Sequence, residues 1–115
     1  MRAVLIDDNE ICLDVEATVI RNVDMIDELH EFHDEAELMS YIATEKVDVA
    51  FLDIIMDEID GITLAMEIKR IQPDCKIIFI TSSRDFALEA FQVYASGYLL
   101  KPVSEDEIIN VLSNM

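Results

Sequence analysis

Five side chains stand where chemistry could be done: Asp7, Asp8, Asp53, Thr81 and Lys101. They close short, mostly apolar runs: Ala3–Ile6, Val47–Leu52, Lys76–Ile80 and Tyr98–Leu100. Gathered at one rim, carboxylates ~4 Å apart repel by about 4 kcal/mol at an effective dielectric of about 20. Three of them must protonate, hold a cation or sit beside a fixed positive charge. A hard divalent cation with oxygen ligands is the simplest answer, and Mg2+ (or Mn2+) suits an open site that keeps several waters. Lys101 adds a fixed positive charge and Thr81 a hydroxyl donor. Such a set binds a small tetraoxyanion, most naturally a phosphoryl group. With Asp53 as acceptor the product is an aspartyl phosphate. The cation and Lys101 would neutralise charge on the transferring oxygens.

The elements that must position these residues alternate along the chain. Ala3–Ile6 is β-prone and ends at Asp7-Asp8-Asn9; Glu10–Asn22 then carries Ile11, Val15 and Val19 at helical spacing. A weak, polar strand over Ile26–Phe32 leads to Asp34, which with Glu37 forms an acidic version of the capping box before a helix through Leu38, Met39 and Ile42. Val47–Leu52 is a buried strand. After Gly61, a helix over Ile62–Ile71 stops before Pro73. Lys76–Ile80 is the next strand, Asp85–Val93 a helix and Tyr98–Leu100 a last short strand. Ser104 with Glu107 caps a final helix. Five β/α alternations with near-continuous apolar strands predict a parallel sheet covered by helices on both faces. In such α/β sheets ligands bind beyond the carboxyl ends of the strands.

A length of 115 residues is enough for one domain, and 52 % apolar residues can fill its core. The 25 acidic and 8 basic residues leave a net charge of −17, which argues against binding nucleic acid or anionic lipid. Gly61 and Gly97 are the only glycines, so a phosphate-cradling P-loop and a G-x-G-x-x-G dinucleotide loop are excluded. Cys12 and Cys75 form no C-x-x-C pair and read as reduced thiols. No apolar run approaches the ~20 residues of a membrane span, and a soluble, cytoplasmic protein is expected. The six methionines read as core filler, and His30 and His33 as surface histidines sharing no metal.

Asp7-Asp8-Asn9, Asp53-Ile-Ile-Met, Asp60-Gly61, Thr81-Ser82 and Gly97-Tyr98-Leu99-Leu100-Lys101-Pro102 together resemble the receiver domain of two-component response regulators, over residues 1–115 as one domain. The resemblance implies a (βα)5, doubly wound flavodoxin-like α/β fold with strand order 2-1-3-4-5. It makes Asp53 the phosphoacceptor and Asp7 and Asp8 ligands of Mg2+, with the backbone carbonyl of Ile55 completing the set. Thr81 becomes the switch hydroxyl, Tyr98 the switch aromatic, and Lys101 the phosphoryl partner, followed by a cis bond to Pro102. The implied partner is a sensor histidine kinase. The implied output face is the fourth helix, fifth strand and fifth helix, through which a homodimer would form. Phe86-Ala-Leu-Glu-Ala-Phe-Gln-Val, before that Tyr98–Pro102 motif, resembles the subgroup with a LytTR-type DNA-binding output, so DNA binding would belong to a separate domain.

Asp57 stands where the family usually has Pro, and with Glu58 and Asp60 it makes an acidic loop. That loop reads as solvated, with a second cation site as the alternative. The Ile55 side chain would shield an acyl phosphate from water. A Mg2+-dependent phosphatase is a rival reading, but haloacid-dehalogenase-like enzymes carry a second Asp where Ile55 stands. The expectation is a phosphoacceptor switch rather than an enzyme, limited to self-phosphoryl transfer and autodephosphorylation. A stand-alone or pseudo-receiver acting by protein contact is the other alternative, and the Asp/Thr/Lys set argues against the pseudo-receiver. As a bland reading, Asp7-Asp8-Asn9 is a turn followed by a helix cap.

Overall fold

A computed structural model describes all 115 residues. The apolar runs become strands β1 (Arg2–Ile6), β2 (Glu28–Phe32), β3 (Val49–Leu52), β4 (Lys76–Thr81) and β5 (Gly97–Leu100). Between and after them lie α1 (Glu10–Arg21), α2 (Glu35–Thr44), α3 (Gly61–Ile71), α4 (Ala87–Gln92) and α5 (Glu105–Ser113). All pairings are parallel and the order is β2-β1-β3-β4-β5, as expected. The residues of β3 are buried throughout because both faces of the sheet are covered. α1 and α5 pack Leu13, Ala17, Ile20, Ile108 and Leu112 on Leu5, Phe51, Ile78 and Ile80. α2, α3 and α4 pack Leu38, Ile42, Leu64, Ile68 and Ala90 on Ile6, Leu52, Ile77 and Phe79. β2 reads as weak and polar because it is an edge strand with two exposed residues.

Local chemistry sets the helix ends. Asn9, Asp34, Asp60 and Ser104 each accept a backbone N–H of the first turn, and Ser104 with Glu107 completes the capping box. Asp34 takes the amide of Ala36 rather than that of Glu37, so α2 begins with a simple cap instead of a box. No helix is long and apolar enough to cross a membrane.

The inward face of α1 differs from the stripe read in the sequence. Ile11 is 76 % exposed and Val15 is also exposed, while Leu13, Glu16, Ala17 and Ile20 point to the sheet. A glutamate on the inner stripe hides the true period from a count of apolar residues. None of the six methionines is fully buried, and Met66 and Met115 are exposed, so they edge the core rather than fill it. His33 is exposed, and half-buried His30 packs its ring at a tilt against Tyr41 and hydrogen-bonds with Glu28. Cys75 is buried and Cys12 partly so; both are free.

Gly61 is required by a close approach. Its amide donates to the Ile54 carbonyl at 2.8 Å, and a Cβ there would lie 2.0 Å from the Asp53 carbonyl oxygen and 2.8 Å from Ile54 Cα. Those are backbone atoms and cannot rotate away. Gly61→Ala is expected to destabilise the fold by about 3 kcal/mol, read from the urea midpoint, because the clash must move the loop that carries Asp53.

Candidate functional site

The ladder itself delivers the site. Ile6 of β1 pairs with Leu52 of β3, so Asp7 and Asp53, one residue further on each strand, come out side by side. The Asp53 amide donates to the Ile6 carbonyl and the Asp7 amide to that of Phe32, which fixes both turns. On the other side Thr81 pairs with Leu100, and the Lys101 amide donates to the Thr81 carbonyl at 2.9 Å.

Carboxylate oxygens of Asp7, Asp8 and Asp53 lie within 4.8 Å of one another. Asp7 and Asp53 are buried and Asp8 is exposed. Lys101 Nζ donates to Asp7 Oδ2 at 2.8 Å and to Asp53 Oδ2 at 3.3 Å. Glu16 Oε2 lies 3.6 Å from the same ammonium. One cation thus faces three buried carboxyl groups, with Asp8 at the mouth. That donor set, all oxygen and in negative excess, fits a hard divalent cation. Burial raises the Asp53 carboxyl above its ordinary value, Lys101 works against this, and Asp7 adds to it. Burial opposes the charge of Lys101, yet its hydrogen bond to Asp7 and the charges of Asp53 and Glu16 prevail and raise it.

Thr81 is fully buried, and its hydroxyl accepts the Ser83 amide at 3.2 Å rather than touching the carboxylates. The Tyr98 hydroxyl donates to the Ser83 carbonyl, and its half-buried ring meets Phe79 edge-on. Both switch candidates therefore hold the same β4–α4 loop. The Lys101–Pro102 bond is cis. Ile55 is exposed in the loop after Asp53. The capping reading of Asp7-Asp8-Asn9 is also realised: Asn9 Oδ1 caps α1, and Asp7 Oδ1 accepts the Asn9 amide at 2.9 Å. Asp60 caps α3, while Asp57 and Glu58 are exposed.

The family model for the response regulator receiver domain matches residues 3–113. The chain belongs to that family. Receiver domains are regulatory switches that bind Mg2+ at an acidic pocket and work with histidine kinases and output domains. This receiver domain is 34 % identical over 109 residues to the Sensory transduction protein LytR of Staphylococcus epidermidis, covering 94 % of this chain and 43 % of that one. It is 30 % identical over 115 residues to Protein MrkE of Klebsiella pneumoniae, covering 100 % and 43 %. The crystal structure of the response regulatory domain of that protein matches with TM-score 0.86 at 31 % identity, covering 98 % and 93 %. A response regulator from Burkholderia pseudomallei, solved with a phosphorylated aspartic acid, calcium ion and citrate, matches with TM-score 0.81 at 25 % identity, covering 96 % and 65 %. The receiver domain spans less than half the length of the curated relatives it matches.

Reasoning from the sequence missed Glu16. It is 4 % exposed on α1, and burial pushes its carboxyl up to about 8, with Lys101 working against this and Asp7 adding to it. Between the ordinary value of 4.5 and about 8 the folded receiver domain holds a proton that the unfolded chain has released. Unfolding free energy therefore falls as pH rises through that window, and the raised Asp53 adds a slope of the same sign. In chelator, Glu16→Gln is expected to flatten the profile and to be the more stable form at pH ~8 by about 2 kcal/mol, read from urea unfolding across pH. The signal in the sequence was a lone Glu spaced three residues from Leu13 and four from Ile20.

Proposed function

We propose that residues 1–115 are a single receiver domain that accepts a phosphoryl group on Asp53 from a sensor histidine kinase and passes the change to an output. The observation that carries this is the cluster itself: Asp7, Asp8 and Asp53 within 4.8 Å, with Lys101 bonded to two of them. An Asp53 carboxylate oxygen attacks phosphorus, the P–N bond to the kinase imidazole breaks and a P–O bond forms; the phosphohistidine ring, already protonated on its other nitrogen, takes the P–N electron pair and leaves as neutral imidazole. Mg2+ (or Mn2+), held by Asp7, Asp8, Asp53 and the Ile55 backbone carbonyl, would supply charge neutralisation for the transferring oxygens. Lys101 supplies the second positive charge and holds the acceptor carboxylate in place. The phosphorylated aspartic acid of the Burkholderia relative, whose structure also holds a calcium ion, supports an aspartate acceptor and a divalent cation here.

The added charge draws the Thr81 hydroxyl toward Asp53, away from the Ser83 amide. The loop that Thr81 and Tyr98 share then repacks, and the α4-β5-α5 face changes its preferred partner. Phosphorylation biases this equilibrium only by its differential interaction with the two states. Exposed Leu88 and Phe91 on α4 and the half-buried edge strand β5 support that face as the surface for output or for a homodimer. Exposed Ile11 and Val15, on the helix that follows Asp7-Asp8, support kinase docking beside the acceptor. Relatives of more than twice this length, among them a transcriptional regulatory protein and LytR, support a DNA-binding output in a longer chain. The −17 charge leaves no direct nucleic-acid contact to this domain.

The test is intact mass after exposure to a small acyl phosphate with Mg2+ and, in parallel, with chelator. The expected result is a gain of one phosphoryl group that requires the cation; no gain with Mg2+ overturns the reading. Turnover of generic phosphomonoesters would favour a phosphatase instead. Exposed Ile55 stands two residues past the acceptor, and its bulk limits access of water to the acyl phosphate. Ile55→Asn is expected to speed decay of phospho-Asp53 about tenfold, followed by intact mass over time.

A further inference from the structure

The backbone N–H of Asp57 donates to Asp8 Oδ2 at 2.8 Å, between residues 49 apart in the chain. Asp8 is the exposed member of the carboxylate cluster, and the ion pairs of Lys101 go to Asp7, Glu16 and Asp53. Orientation of Asp8 therefore comes from another source. An exposed carboxylate without a fixed donor samples several rotamers, and ordering it opposes any binding that needs it in one place. A carboxylate offers about four lone-pair positions, so one N–H leaves the others to a cation.

We propose that Asp57 is a positioning residue whose backbone amide presets Asp8 as a cation ligand. This rests on the reading that Asp7, Asp8 and Asp53 hold a divalent cation. The acidic segment Asp57–Asp60 then has a use beyond solvation: it begins with the hydrogen bond on Asp8 and ends with the cap on α3. Cation occupancy and order of this segment are linked, and the linkage is reciprocal.

The test uses Mn2+ as probe, with free ion followed by electron paramagnetic resonance, on the wild type, Asp57→Ala and Asp57→Pro. Asp57→Ala removes the carboxylate and keeps the N–H; Asp57→Pro removes both. Asp57→Ala is expected to stay within a few-fold of wild type, with a difference that shrinks in salt. Asp57→Pro is expected to bind Mn2+ about tenfold more weakly than Asp57→Ala, the usual cost of losing a group that orients a metal ligand. Equal affinities for the Pro and Ala variants overturn the inference. A wild type that binds no Mn2+ overturns the cation reading itself, and the inference with it. Amide exchange gives a second measure that needs no metal and no proline. In chelator the Asp57 amide is expected to exchange about fivefold or more faster in Asp8→Ala than in wild type. Equal exchange overturns the inference whatever the Mn2+ affinities.

Discussion

Replacing Asp53 with Ala is expected to abolish phosphoryl uptake without weakening the fold. The two outcomes together are diagnostic, because an unfolded variant would lose both. Asp53 is buried, and its carboxyl is raised by burial and by Asp7, with Lys101 working against the shift. A carboxylate so placed stands against stability: deleting it removes a desolvated charge and one member of a crowded cluster. Lys101 keeps its 2.8 Å bond to Asp7, so no buried cation is orphaned. Asp53→Asn, which preserves volume, is expected to gain about 1 kcal/mol in chelator, read from the urea midpoint. Intact mass after treatment with the acyl phosphate should show no added phosphoryl group in either variant. A retained gain would move the acceptor to another residue.

Lys101→Ala should behave in the opposite way and lose both. Its ammonium is the one positive charge facing Asp7, Asp53 and Glu16, at 2.8, 3.3 and 3.6 Å. Removing one side of a buried ion pair costs about 3–5 kcal/mol, since the remaining charges have no partner. Glu16 softens that cost by staying protonated to a higher pH, so the loss should grow as pH rises. Phosphoryl uptake should slow by about 100- to 1,000-fold, the usual effect of removing a group aimed at developing charge. Millimolar Mg2+ should return part of the lost stability, and more of it than it adds to the wild type, because the cation then replaces the missing ammonium. Urea unfolding with Mg2+ and with chelator reads the stability, and a mass time course reads the rate. Equal Mg2+ effects on the two proteins would count against a cation held by these carboxylates.

The frame of this site was legible because parallel strands are written plainly. Runs such as Ile77–Ile80 admit few other readings, and a polar residue directly after each one marks the rim. That pattern alone groups Asp7, Asp8, Asp53 and Lys101. The inner stripe of α1 escapes a count of apolar residues because it carries Glu16, whose carboxyl lies 3.6 Å from the distant Lys101 ammonium. Sequence spacing holds no record of that meeting. α4 is shorter than the Asp85–Val93 helix the sequence predicts, because its N-cap, Phe86, offers no side-chain acceptor and nothing in the chain marks where the helix starts. The Asp57 amide was invisible for a simpler reason: every residue except proline has an N–H, and only the fold decides what it meets.

The Lys101–Asp7 bond joins residues 94 positions apart. During synthesis the acidic ends of β1 and β3 therefore leave the ribosome well before the base that balances them. A nascent chain cut short of residue 101 carries the charge repulsion without its remedy, and closing so long a loop is slow. The carboxylate rim is thus charge-balanced only once the last strand has emerged, and a product truncated before Lys101 would hold that acidic cluster with no ammonium against it.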